Sequence, residues 1–94
     1  MKIMTPYKKG YLKELEAKRI LKTRKKFHTV FRAASTHSPF DIIAISNSKI
    51  LLLQVKSGKF SLKKEQKKLK AIKVPDCVEK QIWCVEKGWK IIDC

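Results

Sequence analysis

Two apolar runs separated by a short polar stretch constrain this chain more than anything else in it. Phe40-Asp41-Ile42-Ile43-Ala44-Ile45 is followed by Ser46-Asn47-Ser48 and then by Lys49-Ile50-Leu51-Leu52-Leu53-Gln54-Val55-Lys56. Short apolar runs around a cluster of turn residues read as two strands of a hairpin. Within them apolar and polar residues do not alternate, so both faces of each strand must be covered, and that requires a sheet with a helix on each side. The polar exceptions stand at one end of the hairpin: Asp41 near the start of the first strand, Gln54 and Lys56 at the end of the second. Strand side chains alternate with period two, so Gln54 and Lys56 project from the same face.

The flanking segments supply the helices. From Pro6 to Lys26 the pattern predicts a helix, with Pro in its first turn and a Lys/Arg-rich last turn that suits the helix dipole. At about 100° per residue, Tyr7, Tyr11, Glu14, Ala17 and Leu21 share one side, which places Glu14 in a largely apolar stripe; Glu16 projects nearer Leu12 and Ile20. Thr29–Ala33 is a short strand and Ser35–Pro39 a polar loop. A second helix is expected from an N-cap at Ser61 to Ile72, ended by Pro75. It carries Leu62, Leu69 and Ile72 on a narrow stripe and lysines elsewhere. Gln81–Val85 and Trp89–Ile92 read as two last strands. The order α-β-β-β-α-β-β defines an α/β fold with a mixed sheet of about five strands, expected to form one domain over residues 1–94.

Charge decides the class of partner. Twenty-three Lys and Arg against eight Asp and Glu give a net charge of +15, whereas solubility is served by a magnitude of about 2–8. Such a field draws polyanions, and each neutralised phosphate adds affinity through counterion release. A membrane surface would call for a basic helix with a clean apolar face, and these helices read as packed on a sheet. The three cysteines, Cys77, Cys84 and Cys94, are odd in number. With neither a signal-peptide pattern nor a transmembrane run, no disulfide framework and a reducing cytoplasm are expected. Cys77 and Cys84 lack zinc-ligand spacing, and His28 and His37 do not complete a set.

The polar residues of the hairpin fit one chemistry. Phosphodiester hydrolysis needs a metal ion to neutralise the scissile phosphate and acidify a water, and a cation to steady the developing charge. Mg²⁺ prefers oxygen ligands and takes one or two carboxylates from protein. Asp41 and Glu14 would supply these, supplemented by the Gln54 side-chain oxygen and the backbone carbonyl of Val55, with Lys56 orienting the water or steadying the phosphate. Each residue has a plainer alternative: Asp41 as a cap on its strand, Glu14 as the i,i+4 partner of Lys18, Lys56 as one more solvated lysine, and Gln54 as a buried amide in need of a hydrogen bond.

More of the chain follows the same order. Gly10-x-x-x-Glu14, Arg32-Ala33-Ala34-Ser35, Ser38-Pro39-Phe40-Asp41-Ile42-Ile43-Ala44, Gln54-Val55-Lys56 and Glu65-Gln66-x-x-Leu69 occur in succession. Over about residues 8 to 72 the sequence resembles the archaeal Holliday-junction resolvase family of the PD-(D/E)XK nuclease superfamily. The resemblance implies a restriction-endonuclease-like fold, a homodimer, and Mg²⁺ with Mn²⁺ as an alternative cofactor. It also implies cleavage of four-way DNA junctions, as in DNA recombination. Glu14, Asp41, Gln54 and Lys56 match the family's catalytic positions; Ser35 or Ser38 matches its loop serine, and Gln66 a helix glutamine near the scissile phosphate. One departure stands out: Gln54 replaces the second acid and removes a negative charge from the metal site.

Metal-dependent, structure-selective endonuclease activity is therefore the leading expectation. Backbone contacts to DNA would come from Lys8, Lys9, Arg32, Ser35, Ser38, Lys59, Lys63, Gln66, Lys67 and the Lys22–Lys26 cluster, reading shape and phosphates instead of base edges. A nuclease-fold domain that binds nucleic acid without cutting it is the alternative that Gln54 favours. A small nuclease of the same superfamily acting on linear DNA is the third.

Overall fold

The computed structural model describes residues 6–33, 39–85 and 88–94, the first five of them by backbone only. Two helices and five strands follow in the order α1 (Pro6–Thr23), β1 (Phe27–Arg32), β2 (Ile42–Ser46), β3 (Ile50–Lys56), α2 (Leu62–Lys70), β4 (Val78–Val85) and β5 (Trp89–Asp93). The strands form one mixed sheet in sequential order, antiparallel except for the parallel pair β3–β4. The expected α/β architecture is present. No helix among the described residues is long and apolar enough to cross a membrane.

Strand β3 organises the molecule. Leu51 and Leu53 face α1, where they pack with Ala17, Leu21, Ile42, Ala44 and Trp83; Leu52 faces the other way, toward Phe40, Leu69 and Ile82. That is why its apolar run does not alternate. The hairpin between β2 and β3 closes at Ser46, whose backbone N–H donates to the Lys49 carbonyl at 2.8 Å and whose hydroxyl accepts from the Lys49 N–H at 2.9 Å. Ser61 caps α2, its hydroxyl accepting from the Lys64 N–H at 3.4 Å. Gly58 and Gly88, with φ of 79° and 115°, make the turns after β3 and before β5 that a side chain would strain.

Several boundaries differ from the sequence pattern, each for a local reason. Helix α1 stops at Thr23, three residues before Lys26. There the Thr23 hydroxyl donates to the Ile20 carbonyl and the Arg24 N–H to that of Leu21, so the last turn closes on itself. Phe27 then enters β1 through an irregularity in register against β2 and reaches the core. Strand β2 begins at Ile42, not Phe40, because Phe40 leaves the sheet to pack beneath α2.

Strand β4 begins at Val78, three residues before the expected Gln81. Lys80 disguised that start: a lysine inside a strand reads as exposed, yet this one is buried, its Nζ donating to the carbonyls of Leu69 and Ile72 at the end of α2. Terminal helix carbonyls lack intrahelical partners, and a cation satisfies them while complementing the dipole. Lys80→Met should therefore destabilise the fold by about 1–3 kcal/mol, because the Ile72 carbonyl loses this donor while the Leu69 carbonyl keeps the Ile72 N–H. Urea unfolding measures this, and a change below ~0.5 kcal/mol would mean that water replaces the ammonium without loss.

Candidate functional site

The site forms where β2 leaves the sheet. Ile42 pairs with Leu53, and the Asp41 N–H still donates to the Leu53 carbonyl at 2.8 Å. One step further along β3, the Val55 N–H has no β2 backbone to meet, and the Asp41 side chain takes its place, Oδ2 accepting at 2.8 Å. Asp41 is thus fixed by the geometry of its own strand end, with one carboxylate oxygen engaged by the sheet. The plainer alternative, a cap on the strand end, is real. It also aims the residue.

Helix α1 brings Glu14 to the same end. Its carboxylate lies 3.7 Å from the Arg32 guanidinium, at the end of β1, so its partner is Arg32 and not Lys18. Arg32 also stands 4.5 Å over the Tyr11 ring, and its Nε is buried with no hydrogen-bond partner among the described residues. Glu16 belongs elsewhere, bound to Lys13 at 3.2 Å and to the Trp89 indole N–H at 3.0 Å.

The electrostatics of the two carboxylates are coupled. Burial pushes the Glu14 pKa above its ordinary value, the Asp41 charge pushes the same way, and Arg32 opposes both. Burial likewise raises Asp41, against the pull of the Val55 N–H, Lys56 and Arg32. Two partly desolvated carboxylates held within reach of each other's charge are disfavoured when both ionise. A divalent cation relieves that conflict.

On the face of β3 toward α2, Gln54 is 7% exposed, and its Nε2 donates to Glu65 Oε2 at 3.2 Å. Its Oε1 is buried and has no partner among the described residues. Glu65 Oε1 lies 3.8 Å from Lys56 Nζ and 3.6 Å from Lys68 Nζ. Lys56 links the two clusters, since its charge also reaches Asp41.

Of the residues singled out in the sequence, Glu14, Arg32, Asp41, Gln54, Val55 and Lys56 meet at this end of the sheet. Arg32 does so as the ion-pair partner of Glu14. Lys59, Lys63 and Lys67 are exposed and Gln66 is half-buried. Ser35, Ser38 and the side chains of Lys8 and Lys9 lie outside the described residues. The residue that sequence reasoning passed over is Glu65, quoted there only beside Gln66. A signal existed: it is the lone acid of α2 and lies three residues after Leu62 and four before Leu69, on the packed stripe.

Among the described residues no three His, Cys, Asp or Glu side chains converge. A cation here would rest on Glu14, Asp41, the orphaned Gln54 oxygen and water. That donor set suits Mg²⁺ or Mn²⁺, which accept one or two carboxylates and retain several waters. No protein-family model and no curated protein matches the chain.

The raised pKa values fix a sign for pH dependence. The native state holds these protons more tightly than the unfolded chain, so stability falls as pH rises from the unfolded value of about 3.9 for Asp through the raised native one. Asp41→Asn retains an oxygen for the Val55 N–H and removes the charge. It should raise Tm at pH 7, with the gain shrinking toward pH 3, where the parent carboxylate is already protonated. Thermal unfolding of both proteins across that range checks this; a Tm difference independent of pH would contradict it.

Proposed function

We propose that the chain is a metal-dependent DNA endonuclease of restriction-endonuclease-like fold, selective for four-way junctions. The observation that carries the reading is the Glu14–Asp41 pair: two part-buried carboxylates, both pushed up by burial and Glu14 also by the Asp41 charge, with Lys56 acting on Asp41, where β2 and β3 end. The five-stranded mixed sheet with two helices is compatible with that fold. The chemistry that a bound Mg²⁺ or Mn²⁺ supplies is neutralisation of the scissile phosphate and a more acidic attacking water. Glu14, Asp41, Gln54 Oε1 and the Val55 carbonyl would hold it. Lys56 contributes a positive charge to the phosphate or orients the water. To do so it must loosen its ion pair with Glu65, and the 3.8 Å separation suggests that little is lost.

The field of +15 accounts for DNA as the partner. On α2 the exposed Lys63 and Lys67, with Lys59 before them, would track phosphates, and Gln66 would approach the scissile one. Paired cuts across a junction need two copies. Phe31 (41% exposed), Ile43, Ile45 and Ile50 share a sheet face by register, and neither hydrophobic cluster includes them. A second copy would cover this uncharged surface without bringing lysines together.

A binding-only domain is the second reading, favoured by the amide at position 54. Incubation of a labelled four-way junction and its linear arms with Mg²⁺, Mn²⁺ or EDTA separates the readings. Symmetric, metal-dependent cuts confined to the junction are expected, with Asp41→Asn at least 10²-fold slower yet still binding, in the range typical for loss of an essential electrostatic group. Tight binding without cleavage under any metal would establish the binding domain, and equal cutting of the linear arms a nuclease of broader substrate. Affinity should fall by orders of magnitude between about 50 and 200 mM salt, and a flat salt response would remove the phosphate-contact surface.

A further inference from the structure

We propose that Glu65 is the residue that makes Gln54 a cation ligand: it holds the Gln54 amide by its nitrogen and so leaves the amide oxygen open to a cation. The inference rests on the metal-site reading above and assigns to α2 a role that nothing in the hairpin itself supplies.

A glutamine amide carries a donor end and an acceptor end of nearly equal size, and only its neighbours decide which way it points. An ionised carboxylate accepts and cannot donate. With Glu65 Oε2 at 3.2 Å from Nε2, turning the amide over would set two oxygens against each other. The Nε2-inward orientation is therefore the only one compatible with that neighbour. Its consequence is that Oε1 is buried with no partner. A buried carbonyl oxygen without a donor is unfavourable unless something else approaches it. Lys56 Nζ, on the same strand face, lies against Glu65, and the Val55 N–H is taken by Asp41.

Gln81 shows the ordinary outcome for a strand glutamine in this same sheet. Its Nε2 donates to Asp93 Oδ1 at 2.9 Å, and its Oε1 accepts from the Trp83 indole N–H at 3.0 Å. Both ends are satisfied there. At Gln54 one end is satisfied and the other left open, two residues before Lys56 on one strand face, and a cation is the partner that such an oxygen suits.

Glu65 is a positioning residue and not a ligand. Its Oε2 is occupied by Gln54, and its Oε1 lies between Lys56 and Lys68. The carboxylate stays where it is because α2 holds it on the packed stripe with Leu62 and Leu69, only 15% of its side chain exposed. Its charge is thus balanced by two lysines while its geometry is delivered to the amide.

A double-mutant cycle read by equilibrium Mn²⁺ binding tests this without cleavage. Glu65→Gln has the volume of the parent side chain but can donate as well as accept, so the Gln54 amide loses its enforced orientation. Mn²⁺ affinity should fall about tenfold, the lower end of what loss of an outer-shell partner produces. With Gln54→Glu as background, the ligand no longer has a wrong end, and Glu65→Gln should leave affinity unchanged or tighten it by removing a like charge. An equal loss in both backgrounds would reduce Glu65 to a structural support and overturn the inference alone. Mn²⁺ binding by Gln54→Glu but not by the parent would overturn it too, while leaving the carboxylate pair as a metal site. No binding by either would overturn the metal reading and the inference together. A measurement on the parent guards against unfolding of the variants: the Gln54 side-chain amide resonances should shift on titration with diamagnetic Mg²⁺, and resonances unmoved at saturation would exclude Oε1 as a ligand.

Discussion

The hydrogen bond from the Val55 N–H to the Asp41 carboxylate is the contact on which the site depends. Strand β3 is the central strand, paired with β2 on one side and β4 on the other, and its N–H groups need acceptors along their whole length. Where β2 ends, the sheet would expose a donor next to its apolar core. Asp41 closes that gap at 2.8 Å, and a residue needed to finish the sheet is thereby held, partly desolvated, at the place where Glu14 and Lys56 arrive. Fold and site are built from one interaction. The geometry of the candidate site then needs no separate scaffold, because the strand ends already fix it.

The distribution of acids fits this view. Only eight carboxylate side chains face twenty-three basic ones, so every acid has cations to choose from. Glu16 and Glu79 take the expected course, each against a nearby lysine, Lys13 and Lys49. Glu14, Asp41 and Glu65 instead sit part-buried near the end of β3. Burying carboxylates in a chain with this many lysines at its surface carries a desolvation penalty that surface pairing would have avoided. Arg32, Lys56 and Lys68 offset it only in part, as the raised pKa values of Glu14 and Asp41 indicate.

Legibility in the sequence followed the strength of each local pattern. The hairpin was plain because apolar runs and a Ser-Asn-Ser turn agree, and Asp41, Gln54 and Lys56 were plain because they interrupt those runs. Glu14 could be read from one helical turn of spacing. Lys80 and Glu65 could not be read so directly, for a common reason. Each is a charged residue whose partners lie on another element, and period and propensity carry no information about what faces a side chain across a gap. Lys80 resembled a solvated lysine until α2 placed its terminal carbonyls above it. Glu65 resembled an ordinary first-turn acid, which helix dipoles favour anyway. The departure of Phe40 from β2 belongs to the same class, since packing against Leu69 and Ile82, distant in sequence, settles it, whereas the early end of α1 is closed by its own last turn.

The amide at position 54 is best understood through the charge already present. Glu14 and Asp41 repel each other in the absence of a cation, and a third carboxylate on β3 would deepen that repulsion and face Glu65 as well. An amide contributes an oxygen without a charge. It also contributes a donor, which Glu65 Oε2 accepts at 3.2 Å beside the charges of Lys56 and Lys68. A glutamate at position 54 would set a second carboxylate against Glu65, a conflict between β3 and α2 that the amide avoids by donating to Glu65 Oε2. Gln54 and Glu65 thus act as one device: two lysines balance the acid on α2, and the acid in turn holds the amide on β3 by its nitrogen.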